Sequence, residues 1–150
     1  MANGIIGTHP SHGYQVAHKL DTTGEVLTRN DSGKVFFCEQ NSDAEVVIYL
    51  PKMSTEIAGW HGRFIISVDS TNAFKIQENA SDNNIVVYVE GTVAVTAADN
   101  VAQGAATSGV SGANFGNNSP VGSMLDVHSD GTSWYFMIQT HDSSDVSTVA

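Results

Sequence analysis

From Lys34 onward the chain repeatedly alternates apolar and polar side chains over short runs and nowhere keeps a helical period for as long as about ten residues. Glycine, proline, asparagine and aspartate separate the runs. Period-two alternation puts successive side chains on opposite faces of a strand. Val35 to Glu39 is compact and aromatic-rich, and Glu45 to Leu50 is β-branched and stops at Pro51. Arg63 to Asp69 alternates with Phe64, Ile66 and Val68 on one face. Ala73 to Gln77 follows, with Phe74 and Ile76 inward, and Ser70-Thr71-Asn72 predicts a hairpin loop between the two. Ile85, Val87 and Val89 share one face of a further strand, which Gly91 breaks before Thr92 to Thr96 continues it. Ser123 to His128 and Thr132 to Gln139 close the series, joined at Asp130-Gly131, a pair that suits a type I′ hairpin.

Two stretches resist this reading. Residues 53–60 allow one helical turn at Ser54 to Ala58. Residues 97–120 are dominated by Ala, Gly, Ser and Asn, which predicts a long loop with at most one short strand. The expectation is an all-β fold, an antiparallel β-sandwich or barrel of about eight strands. An irregular N-terminal arm (residues 1–20) precedes the β domain (21–140), and a short tail (141–150) follows it.

Composition narrows the function. The 150 residues include only six Lys and Arg against sixteen Asp and Glu, a formal net charge of −10. Lys19, Arg29, Lys34, Lys52, Arg63 and Lys75 are scattered, and none lies beyond residue 75. Displacing counterions from phosphates needs clustered cations, so nucleic acid and anionic membrane are poor partners. Cys38 is the single cysteine, which excludes an internal disulfide, and its apolar neighbours predict a buried, inert thiol. The start lacks a basic, apolar leader and no run is long enough to span a bilayer, so synthesis and folding in a cytoplasm are expected.

Histidine is the first place to look for chemistry. His9 and His12 lie three apart with His18 nearby, and two imidazoles with Asp21 are a zinc-type donor set. The segment offers no helix or strand to fix their geometry, so these residues read as surface or interface histidines. No cofactor is expected. His61 sits in a turn within Gly59-Trp60-His61-Gly62, where Trp60 suits an interface anchor. The consecutive His128-Ser129-Asp130 cannot be a triad, whose members converge from separate parts of a fold. Acidic residues at Asp43, Glu45, Asp69, Glu78, Glu90, Asp142 and Asp145 read as solvated surface, and Asp82, Asp99 and Asp130 have no EF-hand spacing. The candidate contact residues are therefore His9, His12, Tyr14, His18, Trp60 and His61.

Leu27-Thr28-Arg29-Asn30-Asp31-Ser32-Gly33-Lys34-Val35-Phe36-Phe37 resembles an opening found in many tailed-bacteriophage structural proteins. Ser129-Asp130-Gly131-Thr132-Ser133-Trp134-Tyr135 resembles their closing hairpin. Val47-Ile48-Tyr49-Leu50-Pro51 followed by Gly62-Arg63-Phe64-Ile65-Ile66 matches the same pattern between them. The resemblance covers about residues 27–138 and implies a virion component, a capsid decoration (cement) protein, a head fibre or a tail fibre. It implies no catalytic residue. On this reading the protein is not an enzyme; it binds the major capsid protein on the head surface, as a homo-oligomer with a trimer favoured. The arm would lie along the shell and bridge capsomers. The alternative is a fibre module that binds a host receptor or glycan.

Overall fold

The computed structural model describes residues 17–21, 23–39, 44–68, 72–79, 84–91, 106–116, 119–140 and 146–149. Twelve strands appear among them: β1 (Ala17–Leu20), β2 (Glu25–Val26), β3 (Lys34–Cys38), β4 (Val46–Tyr49), β5 (His61–Ile66), β6 (Phe74–Gln77), β7 (Ile85–Gly91), β8 (Ala106–Val110), β9 (Gly112–Phe115), β10 (Met124–Ser129), β11 (Trp134–Thr140) and β12 (Val146–Val149). Single 3₁₀ turns stand at Arg29–Asp31 and Thr55–Ile57. The strands form an all-β sandwich. One sheet has the order β1-β3-β5-β10-β11-β7-β8 and the other β12-β9-β6-β4-β2.

The alternation read from sequence decides which residues meet between the sheets. Phe36, Phe64, Leu125, Ile138 and Val89 lie in register across five strands of the larger sheet, and all are buried. Phe36 and Phe64 stack with centroids 4.6 Å apart. Val46, Ile48, Phe74, Ile76, Ala113 and Phe115 face them from the smaller sheet and join the same core. Each large apolar side chain buried this way contributes about 1.5–3 kcal/mol. Cys38 belongs to this core at 1% exposure, and burial pushes its thiol pKa well up, as an inert cysteine requires.

The sandwich is mixed, not antiparallel. β1 runs parallel to β3, β3 to β5, β7 to β11, β2 to β4 and β4 to β6. The expected hairpin between Arg63–Asp69 and Ala73–Gln77 is absent: β5 lies in one sheet and β6 in the other. Alternation reports which face of a strand is buried, and both sheets bury one face, so it cannot report which sheet a strand joins. Val68 falls beyond the end of β5 and is exposed.

The stretch expected to be mostly loop supplies two strands, β8 and β9. In β9 close packing requires a glycine at position 112. A Cβ on Gly112 would stand 2.5 Å from the Ile76 carbonyl oxygen. The segments expected as arm and tail also contribute, since β1 pairs with β3 and β12 with β9. Their low hydrophobicity hid them, because an edge strand needs few apolar side chains. Thr92 to Thr96 lies outside the described residues.

Candidate interaction surface

The outer face of the seven-stranded sheet is built from the residues that alternate with the core set. Strand register aligns them in rows. One row runs Val35, Arg63, Asp126, Met137, Tyr88 and a second runs Phe37, Ile65, Met124, Gln139. A third, nearer the β10–β11 turn, runs His61, His128, Tyr135, Val86. Met137 is 46% exposed, Tyr135 41%, Tyr88 39% and Phe37 37%. A sheet face left to water normally carries polar side chains, so these large apolar ones make the face the candidate contact surface.

Its charge is balanced internally. The Arg63 guanidinium donates through Nε and Nη2 to the two Asp126 carboxylate oxygens, each at 2.7 Å. Four of the other cations are also paired: Lys19 with Asp21 and Glu39 at the β1 edge, Arg29 with Glu56, Lys34 with Asp31 and Lys75 with Glu45. The Lys19 pKa is raised, chiefly by its hydrogen bond to Glu39. Partial burial pushes the Asp31 carboxyl up, but hydrogen bonds from Lys34 and Thr28 outweigh it and the net shift is downward.

Asp130 anchors one end of the face. Its Oδ1 accepts from the Thr132 hydroxyl, the Thr132 N–H and the Ser133 N–H, each at 2.7 Å. Its Oδ2 accepts from the Tyr135 hydroxyl at 2.9 Å. Led by the Thr132 hydroxyl, these donors hold the carboxyl far below the usual carboxylate range, and the same contact raises the Tyr135 pKa. Gly131 takes φ 90°, a conformation that favours glycine. Asp130 N–H donates to Ser133 O, which puts Gly131 first of the two central residues. The expected Asp-Gly type I′ pairing would put it second.

The residues singled out from sequence divide three ways. His9, His12 and Tyr14 lie outside the described residues. His18 is half-buried at the sheet edge, with Nε2 2.9 Å from Glu25 Oε1 and its ring edge-on to Phe36. Trp60 is corrected: at 2% exposure it is core, crossing Trp134 edge-to-face at 5.3 Å and donating from Nε1 to Thr28 O at 3.0 Å. The turn around it folds its indole inward and leaves His61 on the outer face. Glu78 is also corrected, since it is buried and accepts from the Asn84 N–H at 3.4 Å. His128 and Ser129 point to opposite faces, the first exposed and the second buried.

No family model, curated protein or solved structure matches this chain. Sequence reasoning did not single out His128, Met137 or Phe37 as candidate contact residues. The signal was available in β11, where Tyr135 and Met137 occupy the positions that alternation assigns to water. The cavity lined by Arg29, Ser32, Glu56, Ile57 and Trp60 holds about 160 Å³. That is below the several hundred Å³ of an ordinary small-molecule site.

Proposed function

We propose that the protein is a structural binding module of a tailed-phage particle, a decoration protein that docks on the assembled capsid through the outer face of its seven-stranded sheet. The observation that carries this reading is the exposed apolar face built by Phe37, Tyr88, Tyr135 and Met137 around the Arg63–Asp126 pair. A molecule of net charge −10 resists close approach of other acidic surfaces. A face whose central charges cancel is where that resistance is least and where apolar burial favours contact. The phage assignment comes from the motif resemblance over residues 27–138. The major capsid protein is the partner in this reading. Self-association into a small oligomer would multiply contacts with the shell.

The test mixes the purified protein with capsids lacking it and images the particles by cryo-electron microscopy. Density at a defined shell position, with the seven-stranded sheet against the shell, is expected. Met137→Lys combined with Phe37→Lys should remove that density while circular dichroism stays that of the β fold. Bare shells would end the decoration reading. Binding of the protein on a glycan array would then favour a fibre module, for which the exposed tyrosines supply stacking surfaces.

A further inference from the structure

Among the described residues the two sheets end in four edge strands, β1 and β8 in the larger sheet and β12 and β2 in the smaller. An edge offers unpaired backbone donors and acceptors to any strand that reaches it, and soluble proteins guard such edges with charge, shortness or a bulge. Three of the four are guarded. β1 carries His18, bonded to Glu25 of β2, and Lys19, paired with Asp21 and Glu39. β2 is two residues long. β8 is bulged: Gly109 takes φ 77°, and the β7–β8 register shifts between Ile85 and Val86.

β12 has none of these devices. Val146-Ser147-Thr148-Val149 contains no charge, proline or glycine, and its two valines and threonine favour extended chain. It follows β9 in unshifted antiparallel register and stands last in its sheet. Its surroundings are uncharged as well. Residues 100–125, which supply β8 and β9, hold no Asp, Glu, Lys or Arg. In the row Ser147, Asn114, Lys75 the first charge is two strands in, and Lys75 is paired with Glu45.

We infer that β12 is a self-association edge: it pairs antiparallel with β12 of a second copy of this chain and joins two five-stranded sheets into one of ten. Charge and symmetry select this occupant. A net charge of −10 opposes contact between copies, and opposes it least where no charge lies. A strand laid antiparallel on its own copy is related by a two-fold axis, which closes the pair where a head-to-tail contact would propagate. The nearest acid in sequence, Asp145, is not brought against itself. With the axis at Ser147 or Thr148, the two copies of position 145 stand at least four residues apart along the ladder, about 13 Å, against a Debye length of about 8 Å at physiological salt. The inference is independent of what docks on the seven-stranded sheet.

The test uses the full chain. One short strand pair is a small interface, so sedimentation equilibrium should show a monomer–dimer transition between about 10 μM and 1 mM. Ser147 is exposed and accepts from Asn114 Nδ2 at 3.1 Å. Ser147→Lys puts a charge on the edge and should raise the dissociation constant at least about tenfold. Ser147→Ala loses the same bond to Asn114 without adding charge and should dimerise as wild type does, as should Phe37→Lys combined with Met137→Lys on the other sheet. Hydrogen exchange read by mass spectrometry supplies a measurement on wild type alone: exchange at residues 146–149 should slow as concentration rises, while exchange in β8 stays constant. A monomer at every concentration, a dimer that Ser147→Lys weakens no more than Ser147→Ala, loss of the dimer in the Phe37–Met137 variant, or exchange in β12 indifferent to concentration would each overturn the inference.

Discussion

Arg63 and Asp126 meet in a two-point contact, both bonds 2.7 Å long, at the middle of the seven-stranded sheet's outer face. They occupy opposed positions of β5 and β10, the two strands that join the β1-β3 edge to the β11-β7-β8 half. Their side chains are 35% and 20% exposed, so water screens the pair only in part.

Asp126→Asn should therefore destabilise the fold by about 1–2 kcal/mol, since it removes one charge and the matched fork of acceptors. A double-mutant cycle with Arg63→Met, measured by urea unfolding, should return a coupling energy of about 1 kcal/mol. A cycle that closes at zero would make the pair a passenger of strand register.

The two tryptophans pack against each other but stand in different hydrogen-bonding states. Trp60 Nε1 donates to Thr28 O, whereas Trp134 Nε1 is buried with no partner among the described residues. Trp60→Phe leaves a carbonyl short of its donor as well as a smaller ring, and should cost about 2–4 kcal/mol. Trp134→Phe removes an unsatisfied N–H and should cost about 1 kcal/mol less. Thermal midpoints of the two variants measured together decide the order.

The burial pattern of the strands was legible because it depends on local alternation. Phe64 and Ile66 in β5, Phe74 and Ile76 in β6, and Trp134, Phe136 and Ile138 in β11 all face the core as their spacing predicts. Strand direction and sheet membership were not legible. They depend on which distant strand supplies the neighbouring ladder, and Phe64 and Phe74 look alike in that respect. Trp60 was misplaced for a related reason: Gly59 and Gly62 mark a turn, but the partner that draws the indole inward, Trp134, is 74 residues away. His128 was read only against its sequence neighbours, and its relation to His61 exists only through the β5–β10 register.

Asp130 should make stability pH-dependent. Its folded pKa is depressed, so the stability it contributes is present above its unfolded value of about 3.9 and is lost as pH falls below that value toward the lowered folded pKa. Asp31, also shifted down, acts in the same direction. The stability gap between wild type and Asp130→Ala should be widest between about pH 5 and 7 and shrink from about pH 4 to pH 2. Urea midpoints collected across that range test it, and a gap that stays constant would assign the effect of the substitution to turn geometry alone.

Leu20 distinguishes a structural strand from a loose arm. It is fully buried at the end of β1, its carbonyl accepts from the Glu39 N–H at 2.9 Å, and it pairs in register with Cys38. An arm that only reached out to a shell would tolerate truncation of this side chain in the free protein. The observed packing requires instead that Leu20→Ala leave a cavity at the sheet edge and cost about 2–4 kcal/mol. Removing residues 1–18, the direct way to ask whether the N-terminal segment contacts a capsid, would cut β1 in half and mix a folding defect with a docking defect. A deletion ending at residue 16 keeps the strand whole. Differential scanning calorimetry on Leu20→Ala and on both deletions should show the melting temperature reduced by Leu20→Ala and, relative to the deletion ending at 16, reduced by the deletion ending at 18. Equal midpoints for the two deletions and an unaltered Leu20→Ala would return β1 to the arm.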